Sequence, residues 1–193
     1  METTLTSKLI KTTTNTDGSS LVWIPSELRG YSMVSCNSAA DCASSDTATL
    51  TIPAIGVTYY VPRFDLLATP FEDHVNEFNT GHMNVSETYS GVIIKRAGRV
   101  RITARAVLLA NTGVTSATIS ILKGGTLATT VLTSPTVLEA SAVITAANDV
   151  QAYLEVCTYA VVAADDIIRA GMQGTMTADT TSNVAYSLIV EHV

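Results

Sequence analysis

Polar and apolar side chains alternate with a period of two over residues 99–105. One side of this segment is apolar and the other is mostly basic: Val100, Ile102 and Ala104 against Arg99, Arg101, Thr103 and Arg105. Such a period is typical of a strand that is buried on one face only. The pattern therefore predicts a half-buried strand with a row of arginines on the face that points away from the core.

Short segments of a similar kind follow one another to the end of the chain, with turn-forming residues between them. They are residues 90–96, 98–111, 116–125, 126–133, 136–146, 149–161, 166–174 and 184–193. Strands at this short, regular spacing predict an all-β fold, an antiparallel β-sandwich of jelly-roll topology. The side chains that we expect in its core include Val100, Ile102, Ile119, Ile121, Leu188 and Val190.

The first third of the chain differs from the rest in its pattern of polar and apolar residues. Polar, turn-prone stretches alternate there with short apolar runs that contain the single tryptophan, Trp23. We therefore predict an N-terminal arm or particle-attachment region over residues 1–70 and a jelly-roll domain over residues 71–193. Trp23 is expected to be a packing anchor rather than a residue that stacks on a ligand.

Composition limits the class of function. Hydrophobic residues make up 47% and charged residues 15% of the 193 positions, which excludes a disordered chain. The formal net charge of −6 argues against a nucleic-acid partner, because phosphate neutralisation needs an excess of Lys and Arg. No apolar run approaches the ~18–20 residues of a membrane-spanning helix, so no membrane partner is expected. The first residues lack the basic-then-apolar plan of a secretory signal, and we expect assembly in a cytosol.

Neither a catalytic set nor a metal or cofactor site is expected. The sequence contains no phosphate loop, dinucleotide fingerprint, nucleophile elbow or HExxH helix motif. His74 lies near Glu72, Asp73 and Glu77, but this spacing matches no recognised set of metal ligands. His192 is expected at an edge of the fold rather than in a catalytic site. We predict that the protein is not an enzyme and holds no cofactor.

The three cysteines do not make a disulfide framework. Cys36 and Cys42 flank a small loop that an oxidising environment would allow them to close, whereas a cytosolic origin favours two reduced thiols. Both alternatives stay open from the sequence. Cys157 lies in the segment YLEVCTY and is predicted to be a small core residue.

The order of several motifs resembles the globular heads of complement and tumour-necrosis-factor type, which are trimeric ten-stranded jelly rolls. Phe78-Asn79 resembles a strand end of that family, Tyr89-Ser90-Gly91 its aromatic–x–Gly strand, and Ala97-Gly98 the turn before a central strand. Later matches are ISILKGGTL (119–127), DDII (165–168) and the closing YSLIVEHV (186–193). The likeness covers residues 75–193, although Val100 and Ile102 stand where the family usually has aromatics.

This resemblance implies a homotrimer built around a threefold axis, as found in phage virion decoration and fibre proteins. It also implies that the arginine strand lies in the inner sheet, near that axis. Three interpretations of Arg99, Arg101 and Arg105 follow: a solvated face with partners on neighbouring strands, an interface with a sister subunit, or a site for an anionic ligand. Arginine suits the second because its planar guanidinium pairs with carboxylates through two hydrogen bonds.

These features together favour a structural protein of a virus particle, located in the virion and assembled in the host cytoplasm. We predict a bacteriophage capsid decoration or head-fibre protein that trimerises and binds the major capsid protein or another virion protein through its N-terminal region. The alternative is a receptor-binding tip or adhesin that reads a cell-surface glycan. A jelly-roll capsid shell protein is a further alternative, which the few basic residues of the first thirty disfavour.

Overall fold

The described part of the chain is all β, which confirms the predicted fold class. The computed structural model describes residues 11–14, 20–23, 31–36, 52–62, 75–78, 80–86, 90–109, 114–145, 152–176 and 183–193. None of these residues belongs to a helix that could cross a membrane. The strands are β1 (Lys11–Thr14), β2 (Ser20–Trp23), β3 (Tyr31–Cys36), β4 (Thr58–Tyr60), β5 (Val75–Phe78), β6 (Met83–Val85), β7 (Val92–Ile94), β8 (Gly98–Leu109), β9 (Val114–Lys123), β10 (Thr126–Ala128), β11 (Val131–Thr133), β12 (Thr136–Ala140), β13 (Ile144–Thr145), β14 (Ala152–Val162), β15 (Ile167–Met176) and β16 (Asn183–His192).

A five-stranded antiparallel sheet contains the predicted arginine strand, β8. The strand order is β14-β8-β16-β3-β5. β8 pairs with β14 from Gly98 opposite Val162 to Leu108 opposite Ala152, and it pairs with β16 along its other edge. The arginine strand therefore lies inside the sheet, with long neighbours on both sides.

The second sheet has nine strands among the described residues. Its main path is β10-β11-β4-β15-β7-β6, while β9 pairs with β15 and carries β12 and β13 on its other edge. The long β9–β15 pairing runs from Val114 opposite Met176 to Lys123 opposite Ile168. β9 and β15 therefore form the centre of this sheet, and short strands extend it on either side.

The core lies between the two sheets and is built from alternate residues of the long strands. All six residues predicted for it are fully buried: Val100, Ile102, Ile119, Ile121, Leu188 and Val190. They join one continuous apolar cluster that also receives Met172 of β15 and Tyr186 of β16. Burial of each large apolar side chain contributes roughly 1.5–3 kcal/mol, so the period-two pattern itself holds the sheets together.

The eight predicted segments all contain strands, and two of the segments contain two strands each. Residues 126–133 form β10 and β11 because Thr129 between them has a φ of 51°, a left-handed conformation that ends an extended strand. Residues 136–145 likewise form β12 and β13, both paired with β9. The patterns located the strands, while the short turns inside two segments were not predicted.

Segments from both sides of the predicted boundary at residue 70 belong to the sandwich. β3 pairs with β16 and β5, and β4 pairs with β11 and β15. β1 and β2 differ because they pair with each other and, among the described strands, with no other strand. The role of the N-terminal region in attachment stays a prediction, and it concerns the residues before Tyr31 most directly.

Two glycines turn the chain sharply after β9. Gly124 and Gly125 have φ angles of 68° and 82°, which glycine adopts without the steric penalty of other residues. The turn brings β10 and β11 back across the sheet, where Leu127 and Leu132 pack in a second apolar cluster with Tyr59 and Leu122. The nine-stranded sheet thus has apolar packing on its outer face as well as on its inner face.

Candidate interaction face

The outer face of the five-stranded sheet, called here the arginine face, carries the predicted arginine row. Arg99, Arg101 and Arg105 are exposed on β8, while Val100 and Ile102 between them are buried in the core. Residues directly opposite one another in a sheet share a face. The register therefore places side chains from β14 and β16 beside the arginines on the same outer surface.

Two of the arginines form ion pairs with glutamates on the neighbouring strands. Arg101 Nε lies 2.5 Å from Oε1 of Glu191 on β16, and Arg105 Nη2 lies 3.2 Å from Oε1 of Glu155 on β14. Each glutamate is the register partner of its arginine. These groups are half-exposed, and ion pairs of this kind contribute about 0–1 kcal/mol because water and salt screen them. They cancel the repulsion within the arginine row rather than adding much stability.

The third arginine lies over an aromatic ring instead of a carboxylate. The guanidinium carbon of Arg99 is 5.3 Å from the centroid of the Tyr159 ring, within the range of a cation–π contact. Tyr159 is 55% exposed, and Val161 and Val193, which flank Arg99 on its two sides, are 80% and 53% exposed. We call this group (Arg99, Tyr159, Val161 and Val193) the apolar end of the arginine face.

The centre of the arginine face contains Cys157, and the prediction that this residue lies in the core is wrong. Cys157 is an exposed free thiol opposite Thr103, whose hydroxyl donates to its sulfur at 3.5 Å. The reason is register: Leu154 and Val156 of β14 point into the core, so the odd-numbered residues between and after them point outward. Cys36 and Cys42 lie outside what the structure describes at the level of side chains, so their pairing stays open.

The structure thus brings all three predicted site residues onto one surface and gives each a partner within the same chain. This is the arrangement expected of a face with partners on neighbouring strands. It leaves the hypothesis of a subunit interface untested, because pre-paired arginines are compatible with water or with a sister protein on the outer side. An anionic ligand at Arg101 or Arg105 would compete with Glu191 or Glu155 for the guanidinium.

The contribution of β14 to this face was not predicted from the sequence. The segment YLEVCTYAV alternates in the same way as the arginine strand, with Tyr153, Glu155, Cys157, Tyr159 and Val161 on one side. The period of two was therefore visible, but both sides of the segment are largely apolar. Because the pattern has no polar face, the sequence did not indicate which side is outward.

A second set of buried polar groups lies on the outer face of the nine-stranded sheet. Arg169 is only 6% exposed, and its guanidinium donates to Ser90 Oγ at 3.3 Å and to the Gly124 carbonyl oxygen at 3.0 Å. Burial lowers the pKa of Arg169, and nearby Tyr186 partly opposes this shift. An arginine nevertheless stays charged at neutral pH. Arg169 therefore ties the start of β7 to the turn after β9.

The packing in this region leaves no room for a side chain at one glycine of the predicted motifs. A Cβ on Gly91 would overlap the Ile168 carbonyl oxygen and would lie 2.7 Å from Cγ of Arg169. Burial also raises the pKa of Tyr186 above the usual tyrosine range, and its hydroxyl donates to the Ala170 carbonyl oxygen at 3.2 Å. These groups fix the packing of β7 and β15 within the sandwich.

Three further titratable side chains of the described ranges, those of His82, His192 and Asp166, have structural contacts. His82 and His192 lie edge to face with ring centroids 5.7 Å apart, and Arg96 binds both, through Nη1 to His82 and through its carbonyl oxygen to His192. Asp166 accepts a hydrogen bond from the Ala163 amide at 2.9 Å. Within the described ranges no three His, Cys, Asp or Glu side chains are placed to hold a metal ion. His74 lies outside those ranges.

The architecture of the chain is similar to that of known structures, although the sequences differ widely. The globular domain of the zebrafish complement 1qA protein superposes with a TM-score of 0.53 at 7% identity, over 86% of this chain and 97% of that one. The Eiger TNF of S. frugiperda gives 0.46 at 8% identity, over 84% and 89%, and murine APRIL gives 0.46 at 8%, over 86% and 98%. No family model and no curated protein matches the sequence. At such low identity the likeness shows the fold alone, which is the jelly roll of a complement 1q globular head.

Proposed function

We propose that the protein is a homotrimeric structural protein of a virus particle, a bacteriophage capsid decoration or head-fibre protein. The arginine face forms the contact between subunits, and the residues before Tyr31 attach the trimer to the major capsid protein or another virion protein. The chain carries no recognised catalytic motif, so its work is mechanical. Many identical weak contacts on a particle then add to a strong attachment.

The observation that carries the subunit contact is the apolar end of the arginine face. Tyr159, Val161 and Val193 expose more than half of their surface beside a cation that is already placed over a ring. A cluster of exposed apolar side chains among polar residues is typical of a protein-interaction site. Arg101 and Arg105 contribute to such an interface without the cost of an unpaired charge, because each already forms an ion pair with a glutamate.

The dimensions of the sheet suit an interface of ordinary size. Its three longest strands, β14, β8 and β16, have 11, 12 and 10 residues. At ~4.8 Å between strands and ~3.4 Å per residue they present a surface of about 500 Å², to which β3 and β5 add. A standard interface buries about 800 Å² on each partner. The arginine face supplies most of that area from one side.

Mass measurement in solution tests the trimer. Light scattering at micromolar concentration is expected to give three times the mass of the 20.3 kDa chain. The variant Val161→Glu, which puts a charge into the apolar end, is expected to give the mass of one chain. Val137→Glu, at an exposed valine of β12 on the other sheet, is the matched control and should leave the trimer intact. A wild-type protein with the mass of one chain would overturn the proposal.

Particle binding tests the virion assignment separately. A protein shortened to begin at residue 25 keeps β3 and β4, which belong to the sheets, and loses β1 and β2. We expect the shortened protein to form trimers that no longer sediment with the phage capsids that the full chain decorates. If it still binds capsids, the attachment lies elsewhere. If the full chain binds no capsid protein, the virion assignment fails even though the trimer stands.

A second candidate is a module that binds a receptor or cell-surface glycan. Tyr153 and Tyr159 favour it, because both expose more than half of their surface on the arginine face and aromatic rings stack on sugars. In that case the face is open in the native protein, and the chain is expected to be a monomer that binds glycans on an array. Loss of glycan binding in Tyr159→Ala would support this candidate over the trimer.

A further inference from the structure

The end of the sandwich at which β8 begins contains two histidines and an arginine in mutual contact. The rings of His82 and His192 lie edge to face, with their centroids 5.7 Å apart. The turn between β7 and β8 packs against both residues: the amides of Lys95 and Arg96 donate to the His82 carbonyl oxygen, and Gly98 lies against the His192 ring. We call His82, Arg96 and His192 the histidine cluster. It joins the turn before β6, the turn before β8 and the end of β16.

The hydrogen bond between Arg96 and His82 requires an unprotonated nitrogen on the imidazole. Nη1 of Arg96 lies 3.3 Å from Nε2 of His82. A guanidinium has donors only, so Nε2 of His82 accepts this hydrogen bond, and a ring that accepts at one nitrogen is neutral. Protonation of Nε2 would replace the hydrogen bond with two cations in contact, which repel each other. The contact therefore exists only while His82 is uncharged.

The surroundings of His192 also suit a neutral ring. Its Nε2 lies 3.0 Å from the Arg96 carbonyl oxygen, which can only accept, so Nε2 carries the proton of the neutral ring. Its Nδ1 is buried and has no hydrogen-bond partner in the described part of the chain. A second proton, on Nδ1, would create a buried donor without an acceptor, which is costly. It would also add a positive charge beside His82 and Arg96.

The other charged side chains of the described elements around the cluster are cations or carboxylates with their own partners. They are Lys95 and Arg99 beside Arg96, Glu191 beside His192, and Asp165 and Asp166 in the turn that contacts Ile94. The carboxylates of Glu191 and Asp166 pair with Arg101 and Lys123. Asp165 is exposed, and it is its backbone amide that donates to the Ile94 carbonyl oxygen. Within the described ranges, no ion pair therefore joins a carboxylate to His192.

The histidine cluster is connected through the backbone to the apolar end of the arginine face. Val193, directly after His192, donates from its amide to the Arg99 carbonyl oxygen at 3.1 Å. Gly98, directly before Arg99, lies against the His192 ring, where a Cβ would be 3.1 Å from a ring carbon. Arg99 and Val193 are two of the four residues of the apolar end. Displacement of the His192 ring would therefore change the shape of the surface proposed as the subunit contact.

We propose that the histidine cluster is a pH-sensitive switch that holds the subunit contact at neutral pH and weakens it on acidification. This inference rests on the trimer proposed above, because it concerns the regulation of that contact. Histidine in general gains its charge between about pH 8 and 5. The closed cluster needs neutral rings, so it binds fewer protons than the opened cluster. Its stability therefore rises with pH, and the closed form is lost as the pH falls.

The dissociation constant of the trimer, measured by light scattering on dilution, tests the switch. Between about pH 7.5 and 5.5, we expect it to rise at least about tenfold for the wild-type protein, a coupling of ordinary size. The double variant His82→Gln with His192→Gln keeps an acceptor and a donor for Arg96 but cannot titrate, so its dissociation constant should change little. His74→Gln replaces the third histidine of the chain and is the matched control, which should keep the full rise.

Nitrogen-15 NMR of the wild-type rings keeps the switch testable if the double variant does not fold. At neutral pH we expect the proton of His82 on Nδ1 and that of His192 on Nε2, and a charged His82 ring would overturn the inference. A stable trimer whose dissociation does not change with pH would overturn the switch alone, as would a rise that persists in the double variant or disappears in His74→Gln. A wild-type protein with the mass of one chain at neutral pH would instead remove the trimer itself.

Discussion

The outer faces of the two sheets differ in how far the chain itself buries their apolar side chains. On the nine-stranded sheet, Leu122 and Tyr59 are buried beneath side chains that the chain's own β10 and β11 supply, including Leu132. On the five-stranded sheet, Tyr159 and Val161 stay exposed, and no described segment packs over them. The chain therefore covers the large apolar residues Leu122 and Tyr59 on one outer face, although Val131 and Val137 of that sheet stay exposed, and it leaves the apolar end of the other outer face uncovered. The other side is where a partner is to be expected.

The buried and exposed arginines show the same difference. Arg169, on the outer face of the nine-stranded sheet, is buried and donates to a hydroxyl and a carbonyl of its own chain. Arg101 and Arg105, on the arginine face, pair with glutamates in half-exposed positions. A buried donor has fixed partners that are costly to lose, whereas an exposed ion pair exchanges readily with water or with a sister subunit.

The largest loss of stability is expected when a buried side chain on the outer face of the nine-stranded sheet is shortened. Leu122→Ala removes a fully buried side chain and leaves a cavity, so we expect the free energy of unfolding to fall by about 2–5 kcal/mol. Chemical denaturation of proteins that also carry Val161→Glu, and are therefore monomeric, measures this loss of free energy. Val137→Ala, opposite Leu122 on β12 and partly exposed, should cost much less. Similar losses for both would mean that β10 and β11 do not cover Leu122.

A smaller loss of stability is expected when the buried Arg169 is replaced. Arg169→Met keeps much of the volume but leaves Ser90 Oγ and the Gly124 carbonyl oxygen without this donor, which should cost about 1–3 kcal/mol of stability. Arg101→Met on the arginine face is the control. In the same monomeric background it should cost below about 1 kcal/mol. A larger cost for Arg101→Met would reverse the comparison.

Thiol labelling measures whether the arginine face is covered in the assembly. In a chain with Cys36→Ser and Cys42→Ser, only Cys157 reacts, and it is exposed in the single chain. We expect labelling in the trimer to be at least about tenfold slower than in Val161→Glu, which corresponds to about 1.4 kcal/mol. Equal rates in trimer and monomer would place the subunit contact on another surface.

The smallest change in stability is expected when a single ion pair of the arginine face is broken. Arg105→Ala breaks the contact with Glu155, and both groups are more than half exposed. The change in stability of the monomeric background should lie within about 0.2–1 kcal/mol and should shrink further as salt is added. A double-mutant cycle with Glu155→Ala isolates the pair. A coupling well above that range would show that the pair is more shielded from water than its exposure indicates.

The elements with a clean period of two were predictable from sequence. Val100 and Ile102 alternate with arginines, so only one orientation of β8 buries apolar surface, and the strand has that orientation. Cys157 shows the limit of this logic. Its strand is apolar on both sides, and only the pairing of Cys157 with Thr103 decides that the thiol points outward.

The partners of the arginines were beyond prediction for a different reason. Glu155 lies 50 positions from Arg105 along the chain, and Glu191 lies 90 positions from Arg101. Their approach depends on the order β14-β8-β16, in which both neighbours of β8 come from the last third of the chain. Local propensity carries no information about which distant strand pairs with which.

By itself the sequence determined that the chain is a β-sandwich, which segments after residue 90 contain its strands, and which side of β8 enters the core. It did so because burying alternate side chains is the only way for such a strand to remove its apolar residues from water. The tertiary structure alone decided which outer face the chain covers with its own hairpin and which it leaves exposed. That outcome depends on the turn at Gly124 and Gly125 and on long-range strand order, which act across the whole fold.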